Sequence, residues 1–442
     1  MASTQHARGA FSDLRDELAR ARERAGRLFN VVKTEYLYER PIPERHRIIF
    51  YLGHLEAFDW NLLREASGCR APWRPELDKL FAFGIDPVDG GLPTDRPEEW
   101  PRLEEVRQYN EEIRQELDTG IERALGAAKG NGAEIEQLMH VAIEHRLMHE
   151  ETLSYMLQQL PYEQKRSQEQ APTPAAHGGA GTMVEIPEGR VTLGLSRSDA
   201  ATFGWDNEYE THQVDVPAFA IDRYMVTNGE YRKFVEAGGY ENRELWTASA
   251  WEWRCRENIR HPLFWKSEGG RWLWRGMFEE IPLPADWPVY VSHAEASAYA
   301  RWAGKKLPSE AQWQRAAYGT PEGKERAYPW GNEAPTALYG NFNFARWDPA
   351  PANAYPESSS AFGVEGLLGN GWEWTASAFG PFPGFAAFPF YPGYSANFFD
   401  GKHFTMKGGS SRTATCMLRR TFRNWFQAHY PYVYAGFRCV SA

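Results

Sequence analysis

Apolar residues recur at three- and four-residue intervals through the first third of the chain and then stop doing so. Residues 11–32 carry them among Arg, Glu and Ala, all good helix formers. Residues 47–65, RIIFYLGHLEAFDWNLLRE, are largely apolar on one side, and 103–127 and 133–160 repeat the spacing, the last closed by Pro161. A period of 3.6 predicts four long helices. The many Glu and Arg residues of 103–127, with Arg107 and Glu111 at i,i+4, suit a solvated helix face. Four such helices joined by loops imply an antiparallel bundle, whose sites are built from side chains on facing helices. The Gly-, Pro- and Asp-containing stretch 84–100 reads as its crossover connection.

Beyond residue 180 the texture changes. Short β-type runs at 183–186, 190–193 and 212–216 are cut by Gly, Pro, Asp and Asn. Residues 294–303 and 309–318 read as helices, each after a polar or Pro-containing entry. From 350 to 442 there is almost no clear periodicity, yet the segment is dense in Phe, Tyr and Trp. Such a chain must be ordered by aromatic anchors and side-chain-to-backbone hydrogen bonds. Three of the 18 tryptophans precede residue 180 and fifteen follow it. Between the halves lies SQEQAPTPAAHGGAGT, a composition that cannot bury apolar surface and reads as an exposed connector. The expected architecture is α+β in two domains: a helical bundle over 1–166, a linker over 167–182, and a second domain over 183–442 with little regular secondary structure.

Composition narrows the function. The chain has 442 residues, 42% hydrophobic and 24% charged, with 49 basic against 59 acidic side chains. A net charge of −10 argues against a protein that coats nucleic acid. No run of about 18 apolar residues exists to span a membrane, and the polar start has no apolar signal core, so a cytoplasmic protein is expected. Four cysteines, Cys69, Cys255, Cys416 and Cys439, lie far apart and fit reduced thiols.

The most informative stretch is HVAIEHRLMHEETLSYML, residues 140–157. His145 and His149, four apart on a helix, project about 40° from each other and can grip one ion. His140 is roughly 140° from His145, and Glu151 about 200° from His149, so neither joins them. A third ligand must come from another helix. His54, mid-way along an apolar helix, is the best candidate. Alone, either a buried histidine or an i,i+4 pair is more often structural; together, in a bundle, they favour a metal. Three neutral imidazoles leave open positions and suit Fe(II), Zn or Cu.

These residues carry a resemblance. His54 followed by His145-x-x-x-His149-x-Glu151 resembles the H…HxxxHxE signature of the iron(II)-dependent sulfoxide synthases of ergothioneine and ovothiol biosynthesis. Those enzymes couple a DinB-like four-helix bundle to a formylglycine-generating-enzyme-like domain of C-type-lectin type. The second half agrees: MVEIPEGRVTLG at 183–194, FGWDNEYETHQV at 203–214, LPSEAQWQRAA at 307–317, YPWGN at 328–332, GNGWEWTAS at 369–377, FFDGKHFTMKGGS at 398–410 and FRNW at 422–425. The resemblance covers nearly the whole chain outside the linker and the first helix.

It implies that His54, His145 and His149 bind Fe(II), and that hercynine, a thiol and O2 are the substrates of a C–S bond-forming sulfoxide synthase reaction. It implies further that Asn424, Trp425 and Phe426 line the pocket for the trimethylammonium group, with an indole face suited to a quaternary ammonium. Tyr391 or Tyr394 would be the proton or electron donor. Three positions depart from the pattern: Phe426 stands where an acid is common, Met148 where Gln is found, and Asn110 where an arginine commonly holds the thiol's carboxylates. Cysteine, γ-glutamylcysteine and a selenosugar all stay open as donors, the last making the protein a selenoneine synthase. A formylglycine-generating oxidase is rejected, because residues 408–420 offer only Cys416 where that chemistry needs a cysteine pair. A zinc enzyme on the bundle and a non-catalytic ligand-binding lectin-like protein are the readings from other classes.

Overall fold

Arg146, almost wholly enclosed by protein, sits at the centre of the first unit and shows how that unit is registered. The computed structural model describes residues 2–69, 73–83, 92–126, 132–177, 182–199 and 202–441. It divides into two units, residues 1–168 and 169–442.

In the first unit, α1 (Ala2–Phe29), α2 (Ile48–Leu63), α4 (Leu103–Gly126) and α5 (Gly132–Gln158) are the four long helices expected from the spacing. A short helix, α3 (Pro75–Phe83), was not anticipated. Residues 84–91 of the expected crossover lie outside the described residues. Helix α2 packs against α3, α4 and α5, which is why it is apolar nearly all round. The Arg146 guanidinium on α5 donates to Asp59 Oδ2 at 2.6 Å, Glu56 Oε1 at 3.1 Å and the Leu55 carbonyl at 2.9 Å, all on α2. From α4, Arg114 reaches the same Glu56 carboxylate at 2.6 Å. Buried charges are tolerated only when paired in this way, so the network sets how α5 is rotated against α2. No described helix is long and apolar enough to cross a membrane.

The second unit opens with β1 (Met183–Ile186), β2 (Gly189–Leu193), β3 (His212–Val216) and β4 (Phe219–Asp222). Two unanticipated helices follow, α6 (Asn228–Glu236) and α7 (Ala248–Arg256), each begun by a threonine cap, Thr227 and Thr247. A meander, β5 (Trp265–Glu268), β6 (Arg271–Arg275) and β7 (Glu280–Pro282), leads to the expected helices α8 (His293–Trp302) and α9 (Glu310–Tyr318). The aperiodic tail supplies β8 (Gly371–Ala378), β9 (His403–Gly409), β10 (Asn424–Gln427), β11 (Ala435–Gly436) and β12 (Val440–Ser441). Four of these make a sheet in the order β10-β9-β8-β11, and β12 closes β1-β4-β12. The core gathers Ile186, Phe219, Ile221, Trp313, Leu367 and Leu418. Beside it the buried Glu373 carboxylate accepts from Trp313 Nε1 and from Arg438, each at 2.7 Å.

Candidate metal centre

Tyr51, His54 and Phe58 fall at i, i+3 and i+7 of α2 and so share one face. That face meets His145 and His149 of α5. The Phe58 ring lies flat on the His145 imidazole, centroids 3.4 Å apart and planes within 10°. Tyr51 packs on His149 at 5.6 Å. The His54 ring stands 5.2 Å from His145 and 4.9 Å from His149. One ring nitrogen from each of the three histidines lies within 4.8 Å of the other two.

The nitrogens that converge can be named for two of the three directly: His145 Nε2 and His149 Nε2 are 3.1 Å apart. With metal–nitrogen bonds of about 2.1 Å, ligands at a right angle stand about 3.0 Å apart and tetrahedral ones about 3.4 Å. The observed spacing is close to the right-angled case. His54 Nδ1 is engaged by the Phe81 carbonyl at 2.6 Å, which leaves Nε2 for the cluster. Burial depresses all three imidazole pKa values, that of His54 to about 4 against the opposing Phe81 carbonyl, and those of His145 and His149 well below the usual range, where neighbouring imidazoles of the cluster add to the effect. Neutral imidazole is the ligating form. The donor set therefore fits a divalent transition metal. No carboxylate belongs to this cluster among the described residues; Glu151 is buried two residues beyond His149.

In the second unit, the β10 register divides the three residues expected to line one pocket. Trp425 pairs with Thr405 and Phe426 with Phe404 across β9, and successive strand residues point to opposite faces. Trp425, half-buried, stacks on Phe379 at 4.2 Å and is edged by Tyr394 at 5.3 Å and Phe398 at 5.6 Å. Phe426 instead stacks on Tyr430 at 5.1 Å, and Asn424 Oδ1 accepts from the Trp425 backbone N–H at 2.8 Å. Of the two tyrosines, Tyr394 also stacks on Trp205 at 3.9 Å. Tyr391 lies 5.6 Å from Tyr394, its phenol pKa raised by burial and by Asp206.

With this geometry in place, comparison with known proteins is informative. Residues 168–442 match the sulfatase-modifying factor enzyme 1-like domain, and residues 17–153 the DinB superfamily. The hercynine oxygenase of Mycolicibacterium smegmatis is 36% identical over 444 residues, covering 96% of this chain and 97% of that one. This chain belongs to the hercynine oxygenase family. Within that family, the hercynine oxygenase of Mycolicibacterium thermoresistibile is 40% identical over 304 residues, 67% of each chain. Ergothioneine biosynthesis protein 1 of Neurospora crassa is 28% identical over 500 residues, 92% of this chain but 55% of that longer protein, of which this chain spans about half.

In this family member, the spacing that marks the histidines says less about what surrounds them. Phe58 was visible as an aromatic four residues after His54, a spacing that places both on one helix face. Tyr51, its phenol pushed up to about 12 by burial, was equally readable at i−3. The Phe81 carbonyl was not, because a main-chain acceptor carries no residue signature.

Proposed function

We propose that the protein is a non-heme Fe(II)- and O2-dependent enzyme that joins the sulfur of a thiol, cysteine or γ-glutamylcysteine, to the imidazole ring of hercynine, giving a sulfoxide. The observation that carries this reading is the convergence of three neutral imidazoles, from two helices, without a carboxylate. His54, His145 and His149 would hold the ion. Bound there, Fe(II) supplies redox chemistry and open coordination positions for substrates.

The remaining roles fall to the chain itself. Phe58 and Tyr51 hold the rings of His145 and His149 in place, so the nitrogens need no rearrangement on loading. The Trp425 indole suits a trimethylammonium group, which donates no hydrogen bond but is drawn to the ring quadrupole. Tyr391 stays protonated at neutral pH and can deliver a proton; Tyr394, on the edge of Trp425, is the alternative donor. The substrates are small molecules, and the acidic chain has no nucleic-acid role.

A second reading, a selenosugar as donor and selenoneine chemistry as outcome, is favoured by Asn110. Its amide is buried and donates to the Leu52 carbonyl at 2.8 Å, where a carboxylate-binding arginine is common in the family it resembles. The experiment is aerobic incubation of the iron-loaded protein with hercynine and, separately, cysteine, γ-glutamylcysteine or a selenosugar, with products read by mass spectrometry. A hercynine-derived sulfoxide is expected; a selenium adduct alone selects the second reading. No oxygen uptake with any donor, from protein loaded with stoichiometric iron, overturns both in favour of a non-catalytic ligand-binding protein.

A further inference from the structure

The unanticipated helix α3 ends against the first histidine of the cluster, and three independent contacts fix it there. The Phe81 carbonyl takes the His54 Nδ1–H at 2.6 Å. The Phe81 ring lies across α2 at Gly53, where an added Cβ would overlap three ring atoms. One turn back on α3, Asp78 Oδ1 accepts from the Tyr109 hydroxyl of α4 at 2.7 Å, and the Tyr109 ring backs Phe81 at 5.7 Å. Gly53 has ordinary helical geometry and sits mid-helix, where glycine costs about 0.5–1 kcal/mol relative to alanine. Space, not backbone conformation, is what it provides.

We propose that α3 is a positioning element for the metal site: Gly53 admits the Phe81 ring against α2, and that docking holds the Phe81 carbonyl where it fixes His54 as the Nδ1–H tautomer with Nε2 aimed at the cluster. The inference rests on the metal reading of the three histidines, but the tautomer it assigns exists with or without an ion. An imidazole that ligates a metal depends on the partner of its other nitrogen for orientation, and losing such a partner typically costs 10–100-fold in affinity. Gly53, Phe81 and Tyr109 are positioning residues that act through His54 and touch no substrate themselves.

The test uses the full-length protein in two states. In the metal-free state, 15N-histidine spectra should show His54 locked as the Nδ1–H tautomer, its signal assigned by its loss in His54→Gln. Gly53→Ala should displace Phe81 and turn that signal into a tautomeric mixture. Anaerobic titration with Fe(II) should then show affinity reduced by about 10–100-fold in Gly53→Ala and by a smaller factor in Tyr109→Phe, which keeps the packing and releases only the Asp78 tether. Phe81→Ala keeps the carbonyl but removes the ring whose docking holds it, and should loosen the tautomer and lower the affinity in the same direction as Gly53→Ala. A folded Gly53→Ala protein with an unchanged His54 tautomer and Fe(II) affinity within about twofold of the parent overturns the proposal. If Gly53→Ala fails to fold, Tyr109→Phe decides the matter instead: no change in either measurement sinks it. A parent protein that shows the fixed tautomer yet takes up no Fe(II) defeats the metal reading and leaves only the tautomer assignment standing.

Discussion

Two regions of this molecule bury histidines, and they do so to different ends. In the bundle, His54, His145 and His149 turn ring nitrogens toward one another, two of them at 3.1 Å. In the second unit, His293 is just as enclosed, and burial lowers its pKa to about 3. Its Nε2 donates to the Thr375 carbonyl at 3.1 Å, and its ring lies on Phe404 at 3.7 Å. Both regions keep imidazole neutral. A depressed pKa therefore marks burial and nothing more; what separates a candidate ligand from a packing histidine is whether its nitrogens meet other donors.

The largest expected effect is on metal uptake. His149→Ala should abolish stoichiometric iron and turnover, a loss beyond the 10–100-fold that an outer contact carries, while His293→Phe should retain iron. Equal iron in the His149→Ala and parent proteins would erase the contrast. Next comes stability against pH. His293 has a folded pKa below its unfolded value of about 6.5, so its contribution is fully present above that value and is lost as pH falls from 6.5 toward 3. At about 1.4 kcal/mol per pH unit the loss is at most about 5 kcal/mol. Urea unfolding of parent and His293→Phe at pH 7, 5.5 and 4.5 should show a flatter acid limb in the variant; parallel limbs would mean that His293 titrates normally.

The same contrast runs through the tryptophans. Trp313 is buried and gives its Nε1–H to Glu373, whereas Trp425 is half-buried against Phe379 and Tyr394. Trp425→Ala should raise KM for hercynine about 2–30-fold, matching a cation–π contact of 0.5–2 kcal/mol, and change KM for the thiol less. An equal rise in both would assign Trp425 to packing. The smallest effect is expected from Glu151→Gln, which should leave most of the iron bound; complete loss would add a fourth group to the metal's supports.

The legible part of the site was the part with a period. Spacing of four placed His145 and His149 together, and an apolar helix with a histidine in its middle gave His54. Helix α3 was lost among neighbouring Gly, Pro and Asp residues, and the contact it makes to His54 is through main chain. In the second unit, β8 did carry an alternation, Trp372-Glu373-Trp374-Thr375-Ala376-Ser377, although Gly371 to Thr375 are all buried. Helix α6 did carry a readable signal, Thr227 with Glu230 three residues on, the reciprocal cap the structure forms. Asn424, Trp425 and Phe426 are consecutive on a strand, which sends the indole to one face and its neighbours to the other.

Arg146 follows His145 in the sequence, and its guanidinium is locked to the carboxylates of Glu56 and Asp59, on the helix that carries His54. The cradle for the ion is thus cut from the same ionic seam that zips α5 to α2. Warming such a bundle should not loosen the grip by degrees: capacity for metal and helical signal should vanish together, in one transition.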